Sequence, residues 1–289
     1  MNKYSIVSDD KSILGESPIW DEFYQRIYWV DIESKCLHAW SFLDNKKLEW
    51  NFDNRISAIS LTNNNDELIC AFDNFFAFYN VNTHHITRLK NQISLPANVR
   101  FNDGKTDGYG RFWCGTMSES NPSKADGSIY MVDEKLEIHK IFDNIYISNS
   151  LTFSTDNKYI YYADTFKKKI YRTNLSKDIL NIKASEIFVD NTSLKGFPDG
   201  STVDLNGYLW NAEWNGGQVI CYDLNGDIIN RIKTPMSRPT CCAFGGPNMN
   251  VLFITSALEK KADRSNLSGQ TISINTDKVG NYSNRFVGN

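Results

Sequence analysis

Residues 151–164 read Leu151-Thr152-Phe153-Ser154-Thr155-Asp156-Asn157-Lys158-Tyr159-Ile160-Tyr161-Tyr162-Ala163-Asp164. Two apolar and aromatic runs flank a short turn containing Asp and Asn, residues that tolerate positive φ at a hairpin. The stretch reads as strand, tight turn, strand. Its second strand recurs along the chain as Arg26-Ile27-Tyr28-Trp29-Val30-Asp31, Glu67-Leu68-Ile69-Cys70-Ala71-Phe72 and Arg111-Phe112-Trp113-Cys114-Gly115-Thr116. It recurs again as Gly207-Tyr208-Leu209-Trp210-Asn211-Ala212 and Asn250-Val251-Leu252-Phe253-Ile254-Thr255. The spacing is about 40 to 50 residues throughout, the period of propeller blades.

Each copy has the same neighbours. A strand precedes it, as Thr202-Val203-Asp204-Leu205 precedes the Asn206-Gly207 turn. Another follows it, as in Cys36-Leu37-His38-Ala39-Trp40, Lys169-Ile170-Tyr171-Arg172 and Gln270-Thr271-Ile272-Ser273-Ile274. An outer strand then leads to the next unit. No long run carries the 3.6-residue apolar period of an amphipathic helix. The sequence predicts an all-β, six-bladed β-propeller of four-stranded blades, with residues 1–289 forming a single domain. Tyr4-Ser5-Ile6-Val7 is a short strand with no unit of its own. It is expected to pair with the last blade and close the ring, which protects an otherwise open edge.

Composition agrees. Aromatic residues make up 13% of the chain and fall mainly in strands, where blade faces need large flat side chains. A net charge of −3 gives no general attraction to phosphate backbones or anionic lipid, so neither a nucleic-acid nor a membrane partner is expected. The first residues lack an apolar h-region and no segment approaches a membrane span; the expectation is a cytoplasmic protein. The six cysteines lack C-x-x-C pairs and read as buried free thiols. The four histidines fit neither H-E-x-x-H nor any triad, and no G-x-S-x-G elbow is present. His38 and His139 alternate with apolar residues and read as packing or surface positions.

Three segments occupy equivalent places in the repeat, each just before an apolar strand pattern: Gly15-Glu16-Ser17-Pro18, Ile147-Ser148-Asn149-Ser150 and Gly196-Phe197-Pro198-Asp199-Gly200. A propeller brings equivalent positions onto one axis. Glu16, Asn149 and Asp199 would then surround one point with two carboxylates and an amide oxygen, a donor set suited to a hard divalent cation. The loop Asn98-Val99-Arg100-Phe101-Asn102-Asp103-Gly104-Lys105-Thr106-Asp107 begins the third unit at the same level. Arg100 offers a fixed fork of donors, and Asn102 both donates and accepts. The pair suits a polyhydroxylated substrate or a carboxylate product. Asp103 and Asp107 read as turn residues capping backbone amides.

Together, Gly15-Glu16-Ser17-Pro18-Ile19-Trp20, Arg100-Phe101-Asn102-Asp103-Gly104-Lys105, Ile147-Ser148-Asn149-Ser150-Leu151, Pro198-Asp199-Gly200 and Cys241-Cys242-Ala243-Phe244-Gly245-Gly246 resemble the regucalcin/gluconolactonase family, in order and over essentially the whole chain. The stretch Tyr208–Gly217 is similar to the bacterial sugar lactonases in particular. The resemblance implies a six-bladed propeller that hydrolyses a small-molecule sugar lactone with one divalent metal ion. It matches Glu16, Asn149 and Asp199 to the metal ligands, Arg100 and Asn102 to substrate contacts, and Asp199 also to the general base. Ca, Mg, Mn, Zn and Fe are not distinguished by oxygen ligands. Two positions depart from the family pattern. Ser150 follows the ligand Asn where the family often has Gly, and Ser120 aligns with a substrate-binding glutamate of the animal members, with Glu119 beside it.

The implied chemistry is metal-assisted hydrolysis of a cyclic ester. The ion polarises the carbonyl and makes water more acidic, and Asp199 takes the water's proton. Two other readings of the same architecture are a non-catalytic calcium-binding scaffold propeller and a luciferin-regenerating type of enzyme; fold alone does not choose among them.

Overall fold

The computed structural model describes residues 4–121, 123–182, 184–259 and 267–288. They form six four-stranded sheets, arranged as a β-propeller with all strand neighbours antiparallel. Blade 1 comprises Gly15–Asp21, Arg26–Asp31, Cys36–Ser41 and Lys46–Asn51. Blade 2 comprises Ile56–Leu61, Glu67–Phe72, Phe76–Asn80 and Ile86–Arg88. Blade 3 comprises Val99–Thr106, Phe112–Ser118, Gly127–Val132 and Ile138–Ile145. Blade 4 comprises Ser148–Phe153, Tyr159–Asp164, Lys169–Asn174 and Glu186–Asp190. Blade 5 comprises Phe197–Val203, Leu209–Trp214, Gln218–Tyr222 and Ile228–Lys233. Blade 6 takes Pro239–Gly245, Val251–Ser256 and Thr271–Asn275 from the end of the chain and Tyr4–Ser8 from its beginning. Among the described residues the helical content is one 3₁₀ turn, Ile179–Asn181.

The first strand of every blade packs on the first strands of the blades before and after it, and blade 6 returns to blade 1. These six strands therefore line the central axis. Apolar side chains fill the spaces between neighbouring blade faces. Aromatic pairs bridge them: Phe76 of blade 2 lies 4.4 Å from Phe101 of blade 3, Trp113 of blade 3 lies 5.9 Å from Phe153 of blade 4, and Trp20 of blade 1 stacks on Phe253 of blade 6 at 5.9 Å. The high aromatic content of the strands is used here, as expected.

Ring closure follows the predicted route. Tyr4 faces Ile274 and Ile6 faces Ile272, so the N-terminal strand is the outer strand of blade 6. A second tie was not foreshadowed in the sequence. The residues after the last strand run beneath the ring as a strap. The Leu205 N–H donates to Val279 O at 2.8 Å, the Gly280 N–H to Met249 O at 2.8 Å, and the Phe286 N–H to Leu61 O at 2.8 Å. Phe286 is buried against blades 2 and 3, and Arg285 reaches Glu22 of blade 1 at 2.8 Å. The strap thus touches blades 1, 2, 3, 5 and 6.

The hairpins between first and second strands of blades 3 and 5 share one device. In blade 3, Asp107 Oδ1 accepts from the Tyr109 and Arg111 N–H groups, while Oδ2 accepts from Trp113 Nε1 at 2.8 Å. In blade 5, Asp204 Oδ1 accepts from the Asn206 and Tyr208 N–H groups, and Oδ2 from Trp210 Nε1 at 3.0 Å. One carboxylate therefore closes the turn and fixes the core tryptophan six residues later. Asp107 acts as the turn cap that its sequence context implies, and it also pairs with the buried Arg111 guanidinium at 2.7 Å.

Both aspartates are fully buried, so their removal leaves donors without water. Asp204→Ala is expected to destabilise by about 1–3 kcal/mol, the usual cost of stranding a buried donor. Asp107→Ala should cost more, about 3–5 kcal/mol, because it also strands a buried cation. Denaturant or thermal unfolding of the two variants measures the order; equal losses would show that Arg111 finds another partner.

Candidate functional site on the propeller axis

Each first strand carries an irregularity at one level. In blade 1, Glu16 faces Val30 and Ile19 faces Tyr28, three residues against two. The same extra residue occurs between Phe101 and Gly104, Asn149 and Thr152, Pro198 and Ser201, and Pro239 and Cys242. Blade 2 repeats it between Ile56 and Ala58. A β-bulge breaks the alternation of side chains and re-aims them. Here six bulges at one height turn polar residues toward the axis. Glu16, Arg100, Asn102, Asp103, Asn149 and Asp199 all lie at or within two residues of these bulges, and all are buried.

The bulges demand particular residues. Ser17 and Ser150, directly after Glu16 and Asn149, adopt φ of 50° and 58°, which costs an L-residue roughly 1–2 kcal/mol. Side-chain bonds offset part of that. Ser17 Oγ accepts from the Ile59 N–H of blade 2 at 3.0 Å. Ser150 Oγ donates to Asp199 O and accepts from Asn211 Nδ2, joining blade 4 to blade 5. Thus Ser150 replaces the family's frequent Gly with a cross-blade link. After Asp199 the position is strictly small: a Cβ on Gly200 would stand 2.2 Å from Cys241 Sγ.

Arg100, Asn102, Asn149 and the backbone beside Asp199 are joined by hydrogen bonds, while Glu16 is linked to the rest only electrostatically. Asn102 Nδ2 donates to Asn149 Oδ1 at 2.8 Å and to Ser148 O at 3.0 Å. Asn149 Nδ2 in turn donates to Thr165 Oγ1 at 2.8 Å, and Thr165 donates to Pro198 O beside Asp199. The amide of Asn149 is therefore fixed with its oxygen toward Asn102. Arg100 Nη1 donates to Phe101 O at 2.7 Å and Asn102 Oδ1 at 2.8 Å. Both Asn102 donors point at blade 4, so this residue orients Asn149.

Electrostatics link the carboxylates. Burial first, and then the Asp103 carboxylate, raise the Glu16 carboxyl; Arg100 counters only in part. Burial, then Glu16, then Asp103 raise Asp199 well above the usual carboxylate range. Asp103 is itself raised by burial, against Lys105 and the Leu151 and Gly104 N–H groups. Three carboxylates thus share a dry space that Arg100 and Lys105 do not neutralise. Like charges buried together either keep protons or hold a cation. The oxygens of Glu16, Asp199 and Asn149 suit a divalent cation on that ground.

Several members were not evident in the sequence. Asp103 is more than a turn cap: its Oδ2 accepts from the Leu151 N–H of the next blade at 2.7 Å. By bulge register Asn102, not Asp103, takes the place of Asp199, so the repeat did not mark Asp103. Above the axis, Arg55 forms a two-bond fork with Glu119, at 2.6 and 2.9 Å, and pairs with Asp73 at 2.6 Å. Glu119 also lies 3.5 Å from Arg100 Nε, whereas Ser120 accepts from Asn98 Nδ2. Of the two neighbours, Glu119 stands beside the predicted substrate contact. The histidines lie on or between third and fourth strands, away from the inner ring.

Below the bulges a polar cavity of about 150 Å³ is lined by Ser60, Lys105, Thr106, Thr152, Thr202 and Asn284 of the strap, among others. Lys105 crosses it to donate to Ser201 O at 2.7 Å. No helix among the described residues is long and apolar enough to span a membrane.

Comparison with known proteins matches residues 14–258 to the family described as SMP-30/Gluconolactonase/LRE-like region. The putative sugar lactone lactonase YvrE of Bacillus subtilis is 32% identical, over 89% of this chain and 88% of its own. Pentonolactonase XacC of Haloferax volcanii is 32% identical, over 87% of this chain and 84% of its own. Among solved structures, the calcium-binding protein regucalcin of Agrobacterium tumefaciens superimposes with a TM-score of 0.92 at 29% identity, covering 99% of this chain and 97% of that one.

A pH experiment tests the charge argument. Glu16 is raised from its ordinary value of 4.5 to about 8 in the folded chain. Between those values the folded state holds a proton that the unfolded state has released, so stability falls as pH rises. The stabilising contribution is complete below about 4.5 and gone above about 8. Chelator-treated protein should therefore lose thermal midpoint across that window, and saturating Ca²⁺ or Mg²⁺ should flatten the slope. Identical slopes with and without cation would mean that the carboxylates do not share one.

Proposed function

Because the chain belongs to the SMP-30/gluconolactonase/LRE-like family, we propose that it hydrolyses a sugar lactone to the corresponding aldonic acid on the propeller axis, with Glu16, Asn149 and Asp199 holding one divalent cation. The observation that carries this reading is the set of six bulges at one height. In this reading they turn the Glu16 and Asp199 carboxylates and the Asn149 amide oxygen toward a common axis, and the raising of Asp199 by Glu16 supports their closeness. The names of the lactonase relatives add the reaction class.

When bound, such an ion supplies Lewis acidity toward the ester carbonyl and acidifies water. The remaining work falls to the chain. Asp199 is the carboxylate that acts as the base in this reading. It takes a proton from the attacking water as the new C–O bond forms at the carbonyl carbon. It returns that proton to the ring oxygen as the ring C–O bond breaks, leaving a hydroxyl and an aldonic acid. Asn102 keeps the Asn149 oxygen oriented through its 2.8 Å bond. In this reading Arg100, paired through Nε with Glu119 at 3.5 Å, orients a substrate oxygen and so raises effective concentration. The charged rim of Arg55, Asp73 and Glu119 favours a polyhydroxylated ring over an apolar one.

Acid release from a panel of aldonolactones, with chelated protein reconstituted ion by ion, tests the proposal. Asp199→Asn keeps an oxygen and the size of the side chain but removes the charge and the base; kcat should drop about 10²- to 10⁴-fold. Arg100→Ala should lower kcat/KM by the worth of a charge-assisted hydrogen bond, about 1.5–3 kcal/mol, with the fold intact. Near-native turnover in Asp199→Asn at saturating cation would assign the base elsewhere. Wild-type protein inert toward every aldonolactone with Ca, Mg, Mn, Zn and Fe would defeat the lactonase reading and favour a scaffold.

A further inference from the structure

A second constellation lies away from the axis, on the outer half of blade 1. Cys36 and His38 are two residues apart on one strand and so face the same way. Glu49, on the neighbouring strand, is the direct cross-strand partner of His38. Cys36 Sγ stands 3.8 Å from His38 Nδ1, and His38 Nδ1 stands 3.4 Å from Glu49 Oε2. The three ligand atoms all lie within 4.8 Å of one another, and among the described residues no other His, Cys, Asp and Glu side chains form such a group.

From these distances we propose that Cys36, His38 and Glu49 form a cation site for a zinc-class divalent ion, separate from the axis. A tetrahedral zinc ion with sulfur at about 2.3 Å and nitrogen or oxygen at about 2.0–2.2 Å has ligand edges of about 3.6 Å (S to N) and about 3.4 Å (N to O). The Cys36–His38 and His38–Glu49 spacings of 3.8 and 3.4 Å are close to those edges, and the Cys36–Glu49 spacing lies within 4.8 Å. The His38 ring is also held in place, stacked on Trp29 with centroids 5.2 Å apart. Cys36 and His38 are buried, whereas Glu49 is 41% exposed, which leaves a path from solvent.

The Lys47 ammonium now neutralises the Glu49 carboxylate and is displaced when an ion binds. Lys47 Nζ lies 2.6 Å from Glu49 Oε2 and also pairs with Asp10. Asp10 follows the N-terminal strand that closes blade 6. Its carboxylate lies outside the three-ligand group, so the fourth position of the ion is left to water. On binding, the Cys36 thiol gives its proton to solvent and the sulfur becomes the thiolate ligand; no oxidant or reductant is involved. Thiolate and imidazole favour zinc-class ions, a preference that the all-oxygen axis lacks. The two sites should sort metals between them.

The test uses full-length, chelator-treated protein with saturating Mg²⁺ to fill the axis, titrated with Co²⁺. The expected result is one equivalent of Co²⁺ bound with an intense thiolate-to-cobalt absorption, bleached by Zn²⁺. Cys36→Ser should abolish that absorption, and Asp199→Asn should leave it unchanged. Glu49→Gln, at a partly exposed position, should weaken Co²⁺ binding at least tenfold, which keeps the test decisive even where the Cys36 variant folds poorly. Absence of the thiolate band in wild type, its persistence in Cys36→Ser, or unchanged affinity in Glu49→Gln would each overturn the proposal.

Discussion

The backbone ladder of each inner strand is broken once, at one height, and the rest of the molecule is arranged around those breaks. A continuous ladder would alternate its side chains between the two faces of the blade. The extra residue in each first strand turns a polar side chain out of that alternation and toward the axis. Groups exposed there must then satisfy one another across blade boundaries. Asn102 bonds Asn149, Ser150 bonds the backbone beside Asp199, Ser17 receives Ile59, and Thr240 bonds the Gly15 carbonyl. The result is a ring of side-chain bonds inside a ring of strands. The apolar clusters between blades hold the walls apart at the distance those bonds require.

Stability is spent at this level. Two serines sit in left-handed backbone conformations, and Glu16, Asp103 and Asp199 are buried together with partial compensation from Arg100 and Lys105. Strain and uncompensated charge of this kind gather where a protein prepares a ligand site. Compensation comes from outside the site: inter-blade aromatic packing, turns closed on Asp107 and Asp204, and the strap beneath the ring. Pre-organisation then requires little motion from the chain, because each donor is fixed before any ligand arrives.

The sequence made much of this legible because a propeller is periodic. The repeat of Arg26–Asp31 through Asn250–Thr255 revealed the blade count and brought Glu16, Asn149 and Asp199 to attention, although the bulge registers set Pro198 opposite Glu16 and Asn149, with Asp199 one residue on. What escaped was information carried by register and by distant contacts. Asp103 looked like a turn residue because its bond to the Leu151 N–H spans two blades. Asn102 looked like a substrate contact, yet its two donors are committed to Asn149 and Ser148; periodicity cannot reveal which way an amide points. The Cys36, His38 and Glu49 cluster depends on a cross-strand pairing of residues eleven positions apart, and no spacing rule marks that as a metal motif. The strap has no repeat of its own, so its role emerged only from contacts with five blades.

The pairing of Tyr4–Ser8 with Thr271–Asn275 also governs the order in which the molecule can be made. A chain synthesised from its N-terminus presents the Tyr4–Ser8 strand first and its partner almost last. Blades 1 to 5 can form as local meanders, each closing contacts between near neighbours in sequence. The ring cannot shut until residue 275 has been added. Until then the outer faces of blades 1 and 5 and the first strand itself remain open edges, the kind of surface that pairs with other chains. This final contact has the largest sequence separation of any in the sheet system, and loop closure over such a length delays folding. The joint that makes the finished propeller edgeless is therefore also the step at which an unfinished one is most exposed to misassembly.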